Sequence, residues 1–339
     1  MTAAVEIRGL TRRYGQTLAV SGVDLDIQPG EIFGLVGPNG AGKTTTMRML
    51  ATLLEPTSGA ARICGLDIQT QPNAVRRVIG FMPDTFGVYD DMRVWEYLDF
   101  FAHVYVMNAA RREVVVKDLL ELVDLTSKRE EYVQSLSRGM QQRLCLAHAL
   151  VHDPQVLLLD EPASGLDPRA RAELRELLRE LSSLGKTIVI SSHILPELEE
   201  LCSAVAIIDR GRVLASGAVS DIQAKFRRGT VLRAKVLGGP TEWQAAEAFF
   251  VAQPEVASAA LLPDGRVEIA MPGDEGVAAA LLYRAMSNGH RVSSFAPVAS
   301  DLEELFLQIT APAGADVPPP PDPQFIDMPP VEVERVERA

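Results

Sequence analysis

From residue 5 to about residue 225 the chain alternates short apolar runs with segments of helical periodicity. Ile32-Phe33-Gly34-Leu35-Val36, Val156-Leu157-Leu158-Leu159 and Thr187-Ile188-Val189-Ile190 are continuously apolar, as strands are when both faces of a largely parallel sheet are covered. The pattern predicts a helix over Thr44–Leu54. It predicts another after Asp167-Pro168, where Leu174, Leu177, Leu178, Leu181 and Leu184 recur at helical spacing up to Gly185. Residues 230–297 read differently: strand Val231–Leu237, helix Glu242–Gln253, hairpin Ser258–Ala270 turned at Pro263-Asp264-Gly265, helix Gly276–Asn288 and strand Arg291–Ala296. That β-α-β-β-α-β order predicts a small ferredoxin-like α+β domain. Pro312–Ala339 holds 8 of the 22 prolines and six acids against two Arg, the composition of a disordered tail. The expected division is an α/β domain over 1–225, a small α+β domain over 226–311 and an acidic tail over 312–339, without internal repeats.

Composition narrows the chemistry. The 339 residues carry 33 Lys plus Arg against 45 Asp plus Glu, a net charge of −12, which argues against a broad phosphate-backbone footprint and so against nucleic acid as the main partner. Cys64, Cys145 and Cys202 all lie in apolar stretches and show no zinc spacing; reduced core thiols in a cytosolic protein are expected. No stretch free of Asp, Glu, Lys and Arg is longer than Ile32–Gly42, well short of the about 20 residues that span a bilayer. Met1-Thr2-Ala3-Ala4-Val5-Glu6 lacks the basic and apolar regions of a secretory signal. A cytosolic chain that does not cross a membrane by itself is expected.

Gly37-Pro38-Asn39-Gly40-Ala41-Gly42-Lys43-Thr44 fits G-x-x-x-x-G-K-[ST] and sits between a predicted strand and a predicted helix, the context that gives this motif its meaning. Its glycines let successive N–H groups and the helix start face an anion. Lys43 adds a cation for the β- and γ-phosphates, and Thr44 a hydroxyl for Mg²⁺; the implied ligand is a nucleoside triphosphate with magnesium. Phosphoryl transfer also needs an acid at a rigid strand end. Val156–Leu159 runs into Asp160-Glu161-Pro162, so Asp160 is expected to hold the metal and Glu161 to polarise the attacking water as general base.

Three further stretches complete an ordered set: Leu136-Ser137-Arg138-Gly139-Met140-Gln141-Gln142-Arg143-Leu144, Ser164-Gly165-Leu166-Asp167 and Ser191-Ser192-His193. With them, residues 5–225 resemble an ATP-binding-cassette (ABC) ATPase. The resemblance implies a P-loop NTPase cassette with a parallel-rich core sheet and a helical subdomain near residues 90–150. It also implies a head-to-tail dimer closing around two ATP molecules. Gly37–Thr45, with Thr45 beside the motif, would bind ATP, and Tyr14 would stack on adenine through its flat π surface. Leu136, Ser137, Arg138, Gly139, Met140 and Gln141 would form the signature, facing in trans the γ-phosphate held by the other copy. Physically the signature is a second anion nest at a helix start near Gly139. Asp167 would mark the D-loop, and His193 would contact the γ-phosphate and help orient attack.

Two positions depart from the family pattern. Asp84 follows Val78-Ile79-Gly80-Phe81-Met82-Pro83 where cassettes generally carry glutamine, a change that adds charge and removes an N–H donor. Arg138 and Met140 replace the commoner Gly and Gln, as in exporter ATPases for drugs, polysaccharides and other hydrophobic or amphipathic cargo. Phe86, Val88, Tyr89, Trp95 and Tyr97 follow Asp84 closely. They suit a pocket for a membrane partner's short helix, or internal packing, since Trp95, Leu98, Phe101, Ala102 and Tyr105 have helical spacing. Ser300–Leu307 looks like the closing helix of drug-resistance-type exporter cassettes, with Ser300 and Glu303 as a capping box; it reads as a packing strap or as a dimer or regulatory contact. The expected function is the ATPase subunit of an exporter, peripheral on the inner face of the membrane through separate transmembrane permease subunits. The competing readings are a soluble cassette ATPase and a nucleotide-sensing regulatory cassette.

Overall fold

The computed structural model describes residues 3–85, 87, 91–226, 230–272 and 275–297. The expectations for Phe86, Val88, Tyr89, the Ser300–Leu307 helix and the acidic tail lie outside the described residues. Numbered in chain order, strands β1 (Val5–Tyr14) and β2 (Thr17–Ile27) form an antiparallel hairpin. Strand β4 (Ser58–Ile63) pairs with the other edge of β1 and carries the short β5 (Leu66–Asp67). The central sheet runs β10 (Arg212–Ala218), β9 (Ala204–Asp209), β3 (Ile32–Val36), β8 (Thr187–Ser192), β7 (Val156–Leu159), β6 (Ile79–Met82). From β9 to β6 every pairing is parallel; only β10 returns antiparallel to β9.

The continuously apolar strands are buried on both faces because each face meets a different core. Phe33, Leu35, Val156, Leu158 and Val189 point to the core shared with the first sheet. Val36, Leu157, Leu159, Ile188 and Ile190 point to the core shared with the helices. The alternation of side chains across a strand sends neighbouring residues to opposite cores.

Helix α1 (Lys43–Leu50) follows the phosphate loop, and α2 (Pro72–Val78) leads into β6. Helices α3 (Val94–Val104), α4 (Ala109–Leu122) and α5 (Arg138–Leu150) lie between β6 and β7 in the chain, where the helical subdomain is expected. Then come α6 (Pro168–Ser183), α7 (Leu195–Glu199) and α8 (Val219–Phe226). The predicted Thr44–Leu54 helix ends early, at Leu50, because Ala51 is its C-cap and Thr52 turns to φ 60°. Leu184, counted on the apolar stripe of α6, is instead its C-cap and 66% exposed.

Residues 230–297 build a separate antiparallel sheet from β11 (Thr230–Val236), β12 (Ser258–Leu261), β13 (Arg266–Met271) and β14 (Val292–Pro297), in the order β12-β13-β11-β14. Helices α9 (Pro240–Val251) and α10 (Glu275–Ser287) belong to the same stretch. Phe250, Leu232, Val267, Ile269 and Leu281 lie in a core of its own. Among the described residues no helix is long and apolar enough to cross a membrane.

Candidate functional site

The parallel run of β3, β8, β7 and β6 brings four chain segments to one sheet edge, where open α/β sheets bind ligands. Gly37 onward follows β3, Asp84 follows β6, Asp160-Glu161 follows β7 and His193 follows β8. His193, the phosphate loop and the acidic pair meet because β8 lies between β3 and β7.

Two glycines of the loop are required by close approach. A Cβ on Gly37 would fall 2.2 Å from the Ile208 carbonyl oxygen, and one on Gly42, at φ 104°, 2.5 Å from the Ala19 carbonyl oxygen. With these approaches allowed, the chain curls into α1 with Lys43 buried at its start. The Lys43 ammonium donates to Gly37 O at 2.7 Å and to Pro38 O at 3.2 Å, and lies 3.3 Å from Glu161 Oε1. Glu161 therefore stands over the phosphate loop. Its other oxygen, Oε2, is 2.8 Å from His193 Nδ1. Glu161 itself is left-handed at φ 49°, a strained conformation for a side chain of this size, and such outliers cluster at functional sites.

Asp160 is 1% exposed. Burial pushes its carboxyl up from the ordinary range, the hydroxyls of Ser191 and Thr44 draw it back down, and the charges of Asp84 and Glu161 push it up again. Ser191 Oγ donates to Asp160 Oδ1 at 2.5 Å, while Asp160 Oδ2 is buried without a hydrogen-bond partner. A buried carboxylate oxygen with a free lone pair beside a threonine hydroxyl fits a hard divalent cation. Among the described residues, no group of three or more His, Cys, Asp or Glu is arranged to hold a metal ion by itself. This donor set therefore suits an ion that also uses substrate phosphates, as Mg²⁺ does, better than an all-protein cage.

The signature segment behaves locally as a capped helix start. Ser137 is the N-cap of α5, and Met140 N–H donates to its hydroxyl at 3.4 Å. The helix opens at Arg138, one residue before Gly139. Leu136 is buried, and Gln141 donates to Val133 O at 3.3 Å. The Arg138 guanidinium lies against Gly165, and Gly139 packs near Ala170 and Leu166. Asp167 N-caps α6, accepting from Arg169 N and Ala170 N at 2.9 Å each. Among the described residues, no hydrogen bond from 136–141 reaches the phosphate loop of the same chain.

Tyr14 ends β1, is 46% exposed as a residue and has the Arg12 guanidinium 4.7 Å from its ring centroid. Asp84 is exposed, accepting from Thr85 Oγ1 at 3.4 Å. Of the aromatics read as a partner pocket or as packing, Tyr97 is packing: it is 2% exposed with its hydroxyl 3.5 Å from His148 Nδ1. Trp95 packs against the helical core. Cys145 and Cys202 are free, buried thiols pushed up to about 12 by burial.

Sequence reasoning assigned no role to Gln142 and Ser192. Gln142 is buried and donates to Pro162 O, joining α5 to the segment after Glu161. The Ser192 carbonyl accepts the Gly37 N–H at 3.4 Å, joining β8 to the phosphate loop. Gln142 lies in the polar run Gln141-Gln142-Arg143 and Ser192 acts through its backbone carbonyl, so neither carries a sequence signal of its own.

The sequence profile of the family described as ABC transporter matches residues 20–164. Nod factor export ATP-binding protein I of Paraburkholderia xenovorans strain LB400 is 43% identical over 222 residues, covering 66% of this chain and 73% of that protein. The protein of the same name from Cupriavidus metallidurans strain CH34 is 42% identical over 222 residues, with the same coverage of each chain. A solved ATP-binding subunit of an ABC transporter superposes with a TM-score of 0.60 at 32% identity, covering 66% of this chain and 93% of that one. A dimeric bacterial ABC transporter cassette superposes with a TM-score of 0.59 at 24% identity, covering 63% and 98%, and supports the fold alone. With the phosphate loop, acidic strand end and histidine at one sheet edge, and relatives of this identity and coverage, the chain belongs to the ABC transporter family.

Proposed function

We propose that this chain is the ATP-hydrolysing subunit of an exporter, closing head-to-tail with a second copy around two ATP molecules and driving separate transmembrane subunits. The observation that carries the reading is the Glu161 carboxylate set between Lys43 and His193 above the phosphate loop. Backbone N–H groups of the loop and the start of α1 receive the β- and γ-phosphates. On binding, Lys43 exchanges the Gly37 and Pro38 carbonyls for phosphate oxygens, and Thr45 and Tyr14 hold the rest of the nucleotide, Tyr14 against the adenine. Asp160 and Thr44 would hold Mg²⁺, which when bound offsets charge on the β- and γ-phosphate oxygens. Glu161 then accepts the proton of the attacking water. His193, hydrogen-bonded to Glu161, fixes where that carboxylate points. Ser137 and Gly139 of a second copy present the amides of the α5 start to the γ-phosphate, so hydrolysis removes the contacts that held the pair closed.

Export as the direction of transport is supported by the relatives named for Nod factor export and by Arg138 and Met140 in the signature. Drugs, lipids, polysaccharides or similar amphipathic molecules are the proposed cargo. The small sheet of 230–297 would be an accessory domain, and the chain would sit on the inner face of the membrane through its permease. Glu161→Gln keeps the shape but removes the proton acceptor. Phosphate release from Mg·ATP should fall by about 10²–10⁴, while ATP should trap a dimer visible by size-exclusion chromatography. Wild-type turnover in this variant would reject Glu161 as the base.

A further inference from the structure

We infer that Ser191, given no part in hydrolysis above, is a positioning residue that locks Asp160 and Glu161 into a single geometry; this rests on the hydrolytic reading just given. Ser191 is fully buried at the end of β8, the strand between those that deliver the phosphate loop and the acidic pair. Its Oγ accepts the Glu161 backbone N–H at 2.9 Å and donates to Asp160 Oδ1 at 2.5 Å. A hydroxyl has one proton. With the Glu161 amide donating to it, that proton is left for Asp160.

Each bond has a separate effect. The amide bond anchors Glu161 in its left-handed conformation, φ 49°, which persists only where the surroundings over-determine it. From that backbone the carboxylate reaches both Lys43 and His193. The hydroxyl bond occupies Asp160 Oδ1 and leaves Oδ2 as the unpartnered buried oxygen, so only one oxygen is open to a cation. The next two residues act on the same site: the Ser192 carbonyl receives Gly37 N–H, and His193 Nδ1 donates to Glu161 Oε2. Removing the Ser191 hydroxyl leaves a part-buried N–H and a buried carboxylate oxygen without these partners, so both groups must shift to find new ones.

The test compares wild type, Ser191→Ala, and the equal-shaped pair Ser191→Thr and Ser191→Val in the full chain. Supporting partners of catalytic and metal-holding groups are typically worth about 10–100-fold. Ser191→Ala and Ser191→Val should lose kcat by about that factor with KM for Mg·ATP changed less than about threefold, and Ser191→Thr should recover most of the loss. Binding of a fluorescent ATP analogue in EDTA, which uses the phosphate loop without the metal, should be unchanged in all three. Ser191→Ala turnover near wild type would overturn the inference, as would equal losses in Thr and Val, because shape rather than the hydroxyl would then carry the effect. Loss of EDTA-resistant nucleotide binding would overturn it too, by placing the role in the phosphate loop. If Glu161→Gln turns over like wild type, the hydrolytic reading itself fails. Failure of the serine alone, with Glu161→Gln inactive, leaves that reading standing.

Discussion

Gly37 and Gly40 belong to the same loop but are glycines for different reasons, and the difference is measurable. At Gly37 the obstacle is steric: a Cβ would lie 2.2 Å from the Ile208 carbonyl in β9 and 3.1 Å from Ala41 Cβ. Backbone of a strand paired on both sides, as β9 is with β10 and β3, does not give way cheaply, so Gly37→Ala must push the loop itself. At Gly40 nothing lies within 4 Å, but φ is +79°, which costs an L-residue about 1–2 kcal/mol without any clash. Gly37→Ala should therefore lose stability by about 1–3 kcal/mol or more together with most nucleotide affinity. Gly40→Ala should show the smaller, purely conformational loss in urea unfolding. If Gly40→Ala proved the more destabilising of the two, the steric account of Gly37 would be wrong.

At the scale of elements, α5 ties the signature at its start to the helical core at its end. Near the end of α5, His148 stacks on Phe101 of α3 with centroids 3.6 Å apart; His152, two residues past the end of the helix, stacks on Tyr105 and meets Ile79 O at 2.7 Å through Nε2. Burial pulls His148 down to about 4, and the neighbouring His152 adds to the shift. A base depressed in the fold stays neutral there while the unfolded chain takes up protons. Its contribution is thus fully present above the ordinary histidine value of about 6.5 and is lost as pH falls from there towards 4. The loss from His148 is of order 2 kcal/mol by pH 5. Urea unfolding at pH 7.5 and pH 5 should show it in wild type and show it diminished in His148→Leu; an unchanged pH dependence in the variant would remove His148 as the cause. Legibility in the sequence follows the same local logic. The apolar strands, the α6 stripe and each site motif could be read because their signals are contiguous. Ser191 and Gln142 could not be assigned, since their partners lie 31 and 20 residues away and only the strand order brings them together. The early end of α1 and the exposed Leu184 depend on cap geometry, which apolar spacing does not encode.

For the whole molecule, the decisive feature is that the proposed chemistry is divided between two surfaces of one chain. The phosphate loop, Asp160, Glu161 and His193 share a sheet edge, whereas Ser137 and Gly139 lie at the start of α5, where the side-chain hydrogen bonds of Ser137 and Gln141 stay local. Two such chains placed head-to-tail would complete both sites, and the site would then exist only in the dimer. Mass action follows: the fraction of complete sites, and so the turnover per chain, must rise with chain concentration until the dimer saturates. The net charge of −12 opposes that approach and is screened by salt within about 10 Å at 0.1 M, so moderate salt should shift the rise to lower concentrations. Ser137→Arg, at an exposed cap position, puts a bulky side chain where the second copy must approach. The lost cap costs about 1 kcal/mol, far too little to unfold the chain. In steady-state phosphate release at saturating Mg·ATP, wild type should climb with concentration, and Ser137→Arg should stay low throughout while still binding nucleotide. A specific activity independent of concentration and indifferent to Ser137→Arg would mean that one copy holds a complete site, and the head-to-tail arrangement would have to be given up.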